Sequence, residues 1–463
     1  MNNSTQTLSI NQTSSTLYFK SDLKSFVQTD GGIVDRCNGR TEIVFKGIIS
    51  ASDVHICPHC GCVMHRHAIS TQRIKHVPIG SSTSEICFER TRYKCSNHQC
   101  RRTLMQKAPF KADNHMITKE LEVYVMSLLA LGNYTLKEIS RIVGLNQHTI
   151  KSIDLKRLKL MYTNDGVTLK KPEKQARFLA IDEFKLHDGH KYATHIIDLE
   201  TGNVLWIAKG KKKAVVYDFI EFVGLEWMSK VEAVACDMNS DFEEAFREKC
   251  EHIDIVFDYF HIVKNFNEKV IAGVRKEEQQ RLIAEGKLDE ANALKHSKYL
   301  LCSNASTRKR KDEEASTGKV KHKGSPLFGT ATIHSKGDNE ERYQNLIKNN
   351  RKFLKIDLIK ESLHDAFQQN DWRIMADRID NVIALCNSEE DDKRFQWFSK
   401  LIINHYDGIL CKAVHNITSG KIEGINNKIK TARRMSYGLP DDEYFFLKVM
   451  DLSRANTNKK AAT

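Results

Sequence analysis

The chain has 463 residues, 40% of them hydrophobic, with 72 Lys and Arg against 59 Asp and Glu, a net charge of +13 and a pI near 9.0. That length carries two or three domains with cores of their own, and the charge favours a polyanionic partner, nucleic acid ahead of an acidic membrane surface. A run of 18 apolar residues is absent, the polar start MNNSTQTLSINQTSSTLYFK lacks the charged and apolar regions of an export signal, and the 12 cysteines include a metal-type cluster, so a membrane span is excluded and a reducing cytoplasm is expected.

In chain order, residues 1–42 read as a flexible tail. Residues 43–111 read as a zinc-ribbon domain opened by a short strand at 43–50. Cys57-Pro-His-Cys60 is a CxxC knuckle, and Cys95 and Cys100 in YKCSNHQC form a second one. The segment EICFERTRY between them alternates like a strand. Thiolates from two strand-linked knuckles suit a closed, tetrahedral, structural Zn2+ site. The second pair is looser in spacing, so His98 could replace one of its cysteines, and Cys62 or His65 could compete in the first half.

Residues 112–172 read as a helix-turn-helix DNA-binding domain. An apolar stripe over 117–131 stops at Gly132. In 135–153, Thr135 and Glu138 form a capping box, and Leu136, Ile139 and Ile142 make the inner face. Gly144 permits the turn, Leu145 plugs the core, and Asn146 caps the second helix. Gln147, His148, Lys151 and Ser152 then face outward, where base edges or phosphates of a major groove would meet them. An ordinary helical hairpin shares this pattern.

From 173 to 270 the pattern changes. RFLAIDEF, KYATHIID, VLWIA, VEAVACD and IDIVFD read as strands, and 213–223, 241–250 and 259–270 as helices. The order β-β-β-α-β-α-β-α describes an α/β sheet opening on a meander. Residues 271–414 read as a charged helical insertion with a basic flexible stretch at 303–329. Residues 415–463 bring a helix and a tail. In SGKIEGINNKIKTARR, Ile422, Ile425 and Ile429 form an apolar stripe, while Glu423, Asn427, Lys430 and Arg434 fall on another side.

Two strands end in acids, Asp182 and Asp237. Together with Glu423 they form a candidate Asp-Asp-Glu set, whose oxygen ligands suit two Mg2+ or Mn2+ ions about 3.5–4 Å apart for in-line phosphodiester displacement. Glu183 is expected on the opposite side of its strand, and Asp241 and Asp258 are neighbours that could be mistaken for the second acid. His261, in DYFH, is a candidate supporting group behind the metal. Lys428, Lys430, Arg433 and Arg434 are candidate DNA-phosphate contacts, although a solvated basic face needs no such role.

These pieces resemble the bacterial insertion-sequence transposases of the ISL-three family. The resemblance runs from about Cys57 to Tyr437. It is carried by CPHC with RTRYKC, the 135–153 segment, AIDEF with GHKYATHIIDLETGNVL, VEAVACDMNSDF, DYFHIVKNFN and SGKIEGINNKIKTARRMSYG. It implies a multidomain α/β plus α protein: a zinc ribbon, a helix-turn-helix domain, and an RNase H-like, retroviral-integrase-type catalytic domain interrupted by a helical insertion. It places Asp182, Asp237 and Glu423 in the catalytic positions. The implied activity is DNA cleavage and strand transfer at terminal inverted repeats, on double-stranded DNA, by a homodimer or larger assembly at the bacterial nucleoid. The alternatives are a catalytically silent DNA-binding regulator derived from such an enzyme, and a nuclease with no joining step.

Overall fold

The computed structural model describes residues 8–9, 25–35, 41–50, 55–189, 191–238, 240–316, 321–323, 331–333, 337–348, 350–418, 420–435 and 441–454. Most of the expected N-terminal tail, residues 317–320 and 324–330 of the basic stretch, and the end of the C-terminal tail lie outside the described residues. The chain divides into two compact units, Met1–Lys170 with Ile429–Thr463, and Lys171–Lys428.

The first unit is built on a sheet in the order β1-β2-β3-β5-β4, with β6 on the free part of β5. Its strands are β1 (Leu8–Ser9), β2 (Phe26–Asp35), β3 (Thr41–Ile49), β4 (Met64–Ile79), β5 (Ser82–Cys95) and β6 (Thr103–Met105). Phe26–Asp35, expected in the tail, is instead a strand, because its partner β3 supplies an antiparallel ladder from Phe26↔Ile49 to Asp35↔Thr41. Strand β5 belongs to two cores. Ile86 and Phe88 enter an aromatic core with Phe45, Ile74 and Phe110, whereas Tyr93 and Cys95 turn to the cysteine knuckles. Successive strand residues face opposite ways, so this change from even to odd positions means that opposite faces of the strand are covered at its two ends.

Three helices follow: α1 (Lys119–Ala130), α2 (Leu136–Val143) and α3 (Gln147–Tyr162). The Thr135–Glu138 capping box forms, with the Thr135 N–H donating to Glu138 Oε2 at 2.7 Å and the Glu138 N–H to Thr135 Oγ1 at 3.2 Å. Gly144 takes φ 70, the left-handed conformation that ends α2 without a Cβ penalty. Asn146 Oδ1 then accepts from the Thr149 N–H at 2.7 Å and starts α3. The apolar face of α2 is Ile139 and Val143; Ile142, expected inside, is exposed. The C-terminal helix Asp442–Arg454 packs on α3, and residues from 429 onward group by contact with the first unit.

The second unit holds a five-stranded sheet in the order β11-β10-β7-β8-β9. These are β7 (Phe178–His187), β8 (Lys191–Asp198), β9 (Val204–Lys209), β10 (Ala233–Cys236) and β11 (Asp254–Phe257). β7, β8 and β9 form the antiparallel meander, and β10 and β11 run parallel to β7. β10 is buried along its whole length, as its AVAC sequence requires of a central strand. Helices α4 (Lys213–Val223), α5 (Ser240–Lys249) and α6 (Tyr259–Asn265) connect or follow the strands. A helical segment comes next, then α7 (Gly420–Met435). Within that segment Ala305–Ser316, expected to be part of a mobile basic stretch, is a helix. Arg308 is 3% exposed, stacks on the Tyr343 ring at 3.4 Å and pairs with Glu340 at 2.8 Å. A guanidinium with an aromatic face and a carboxylate can be buried, which a run of unpaired cations cannot.

Candidate functional site

In the first unit four sulfurs converge. Cys57, Cys60, Cys95 and Cys100 place their Sγ atoms within 4.8 Å of one another, with Cys57–Cys100 at 3.7 Å and Cys60–Cys95 at 3.4 Å. A tetrahedral zinc with Zn–S near 2.3 Å separates its sulfurs by about 3.8 Å, so the donor set fits that ion. Cys62 and His98, the alternative ligands, stand outside the group, and Cys62 Sγ instead approaches the Cys60 carbonyl at 3.8 Å. The backbone N–H of Cys62 holds the Cys60 thiol down to about 6, while burial pushes Cys95 up to about 12.

In the second unit the acids are set by strand register. β7 and β10 pair as Ala233↔Phe178 through Ala235↔Ala180. Continued by two residues, that register puts Asp237 beside Asp182. The same extension from Cys236↔Phe257 puts Asp258 beside Asp237. Asp182 lies within β7 and not at its end, because β7 runs on to His187 against β8 alone.

Burial is the main cause that raises the Asp182 pKa, and the Asp237 charge adds to it. The Glu183 N–H, the Asn426 amide and His261 act the other way. The Glu183 N–H donates to Asp182 Oδ1 at 2.7 Å, and Asn426 Nδ2 donates to Oδ2 at 2.6 Å. Asp258 is used as the cap of α6, accepting from the Phe260 N–H at 3.4 Å.

Glu423 is exposed on α7, one helical turn before Asn426 and on the same side of the helix. It does not close with Asp182 and Asp237. Among the described residues only the cysteines form a group whose ligand atoms all lie within 4.8 Å.

The sequence pattern missed three neighbours of Asp182. Asn426 is one, and its only signal was the spacing of three from Glu423. Glu183 is the second. Burial raises its pKa, and the charges of Asp237, Asp182 and Asp241 act on it too, with Lys211 opposing them at 3.9 Å. It was expected on the far side of the strand, but its long side chain stays within electrostatic reach of these acids. The third is His195, directly across from Asp182 on β8 and fully buried, which pushes it down to about 4. A histidine inside the apolar run of KYATHIID was the available signal.

Among the candidate DNA contacts, Gln147, His148 and Ser152 are exposed on α3. Lys151 is not free, since its Nζ pairs with Asp441 at 3.0 Å and lies over the Tyr444 ring. On α7, Lys430 and Arg434 are exposed, Arg433 lies over the Phe445 ring at 5.2 Å, and burial lowers the Lys428 pKa.

Residues 179–449 match the family model of ISL3-type DDE transposases, and residues 53–100 that of the zinc-finger of transposase IS204/IS1001/IS1096/IS1165. The chain belongs to this transposase family, whose DDE domain implies an RNase H-like fold. It is similar to the transposase for insertion sequence element IS1001 of Bordetella parapertussis, with 25% identity over 421 residues, 89% of this chain and 91% of that protein. A shorter match, 29% over 87 residues, covers 19% of this chain and 20% of the transposase for insertion sequence element IS1557 of Mycobacterium tuberculosis. No helix among the described residues is long and apolar enough to cross a membrane.

Proposed function

We propose that the protein cleaves the ends of an insertion sequence and joins the freed 3′ hydroxyls to target DNA, with Asp182, Asp237 and Glu423 as the acids that carry the reaction. The observation behind this reading is the register of β7 and β10, which runs on toward Asp182 and toward the Asp237 that follows β10, with the helix of Glu423 tied to Asp182 through Asn426. Divalent Mg2+ or Mn2+ held by the acids would activate the attacking oxygen and stabilise the leaving 3′ oxygen. Asn426 holds one oxygen of Asp182. Glu423, one helical turn before Asn426, would be the third acid to hold the ions.

The proposed DNA contacts are Gln147, His148, Lys151 and Ser152 on α3, and Lys428, Lys430, Arg433 and Arg434 on α7. His261 is proposed to support the acids from behind. Two element ends must be held at once, so the working form is a homodimer or a larger assembly on DNA, at the nucleoid. The structural zinc holds the first unit and takes no part in the chemistry.

The test is strand cleavage and joining on end-containing DNA with Mg2+. Asp182→Ala, Asp237→Ala and Glu423→Ala should each reduce both to background. Normal strand transfer in all three would end this reading. The exposed, open position of Glu423 favours a second one, a catalytically silent DNA-binding protein; sequence-specific binding with no cleavage under Mg2+ or Mn2+ would select it.

A further inference from the structure

Next to the cysteine knuckle, β4, β5 and β6 form an arm of the sheet, three strands wide, with a cationic face. β4 and β5 pair in the register His65↔Lys94, Ala68↔Arg92 and Ser70↔Arg90, and β6 adds Thr103↔Lys94 and Met105↔Arg92. Directly opposed residues share a side, so Arg90, Arg92, Lys94, His65, Ala68 and Ser70 lie on one face. The other face is closed by Tyr93, Cys95 and Leu104 against the cysteines. On the first face Arg92, Lys94, His65, Ala68 and Ser70 are all exposed, and residues 65–71 of β4 are exposed on both sides. An edge strand this open invites pairing with other chains unless charge discourages it.

The charge is one-sided. Residues 65–107 hold nine Lys and Arg against two acids, Glu85 and Glu89. Glu85 is held by Arg73 and Lys75, and Glu89 alternates to the opposite face from Arg92. Arg90 is used internally, donating to the Gln106 carbonyl at 2.8 Å and to Gln72 Oε1 at 3.1 Å. Arg92 and Lys94 have no carboxylate within ion-pair distance among the described residues. Helix α3 differs in every one of its cations. Lys151 pairs with Asp441, Lys156 with Glu122, Arg157 with Asp154 and Asp451, and Lys159 with Glu443.

We infer that the exposed face of β5, with Arg92 and Lys94 and with His65 beside them, is a binding surface for the backbone of duplex DNA. On this reading the arm, and not the cations of α3, supplies the phosphate grip of the first unit, while Gln147, His148 and Ser152 leave α3 to read base edges. Phosphate contacts fix position and affinity without reading sequence, so a cationic sheet face can grip the backbone without entering a groove. The inference rests on the proposal that the protein acts on DNA.

The experiment measures binding of the full-length, zinc-loaded protein to a fluorescein-labelled duplex of mixed sequence and to an end-containing duplex, over a series of salt concentrations. Arg92→Gln with Lys94→Gln should weaken binding to both duplexes by the same factor. It should also lower the slope of log K against log salt by about 2, one for each phosphate that is no longer neutralised. Arg92→Glu with Lys94→Glu should weaken both further, and Lys159→Gln should leave the slope unchanged. Zinc content and the thermal unfolding midpoint report whether each variant is folded.

A salt slope unchanged in both double variants overturns the inference. So does a loss confined to the end-containing duplex, which would mean base reading. An equal fall in slope with Lys159→Gln would return the phosphate grip to α3. If the unaltered protein binds neither duplex, the DNA reading fails as a whole; if it binds and the double variants bind equally well, only the arm fails.

Discussion

Asp154 and Asp182 are both acids in largely covered positions, and their surroundings treat them in opposite ways. Asp154, on α3, is fully buried. Its Oδ1 accepts from Arg157 Nε at 2.9 Å and Nη2 at 2.8 Å, and its Oδ2 from Tyr444 at 2.8 Å and Lys448 at 3.0 Å. Burial pushes its pKa up, but Lys448 and Arg157 more than offset that, and the result lies below the usual carboxylate range. Asp182 has burial too, and a carboxylate neighbour in Asp237, against one amide and one backbone N–H. Its pKa is raised. Donors that complete a buried charge make a structural joint. Acids whose pKa is raised by burial and by one another mark a candidate functional site.

The comparison is broken most forcefully at Asp154. Asp154→Asn leaves Lys448 and Arg157 facing a neutral amide, and Arg157 keeps only Asp451, at 2.7 Å. Removing one member of a buried ion network costs about 3–5 kcal/mol. The first unit should lose roughly that much in denaturant unfolding, with the C-terminal helix released from α3. A loss below about 1 kcal/mol, the range of exposed pairs, would show that the network is not the joint described here.

Asn426 sharpens the other side. Asn426→Ala removes the only side-chain donor to Asp182 Oδ2 among the described residues, while Glu423 one turn away is untouched. Groups that orient a metal-binding carboxylate are worth about 10–100-fold in metal affinity or activity. Cleavage should therefore need more Mg2+ for half-maximal rate, and saturating Mg2+ should restore much of it. An unchanged Mg2+ requirement would mean that Asn426 only packs.

How much of this was legible in the sequence follows from how local each signal is. The CxxC knuckle, the capping box at Thr135 and Glu138, and the left-handed Gly144 are set by residues within a few positions of one another, and the structure contains each geometry. The five strands could be read from their apolar runs, and their order follows from a meander with parallel additions. Contacts between distant segments were hidden. The bond from Asn426 to Asp182 joins residues 244 positions apart, and it depends on how α7 is rotated about its own axis. A helical-wheel reading puts Asn427, not Asn426, with Glu423. The packing of the C-terminal helix on α3 was hidden for the same reason: its anchors, Tyr444, Lys448 and Asp451, find Asp154 and Arg157 only in three dimensions. Arg308 reads as one more charge in a basic run, because nothing near it in sequence announces Tyr343 as its cover.

The smallest effect has the most informative sign. Because the folded-state pKa of Asp182 is raised above 3.8, the folded protein binds this proton more tightly than the unfolded chain. Stability from this group is therefore present at acid pH and is lost as pH rises through the folded pKa. At pH 7 the ionised carboxylate costs stability, and Asp182→Asn, which keeps the shape and keeps the Asn426 contact once that amide turns its oxygen toward the new NH2, should recover about 1 kcal/mol, of the order gained when a functional site gives up its strain. The gain should shrink as pH falls toward the ordinary carboxylate value. Mg2+ should raise the unfolding midpoint of the unaltered protein, since an ion that binds only the folded state stabilises it, and should leave that of the variant unmoved. An Asp182→Asn protein less stable than the original at pH 7 would place Asp182 beside Asp154 as a satisfied structural acid, and the contrast between the two would be lost.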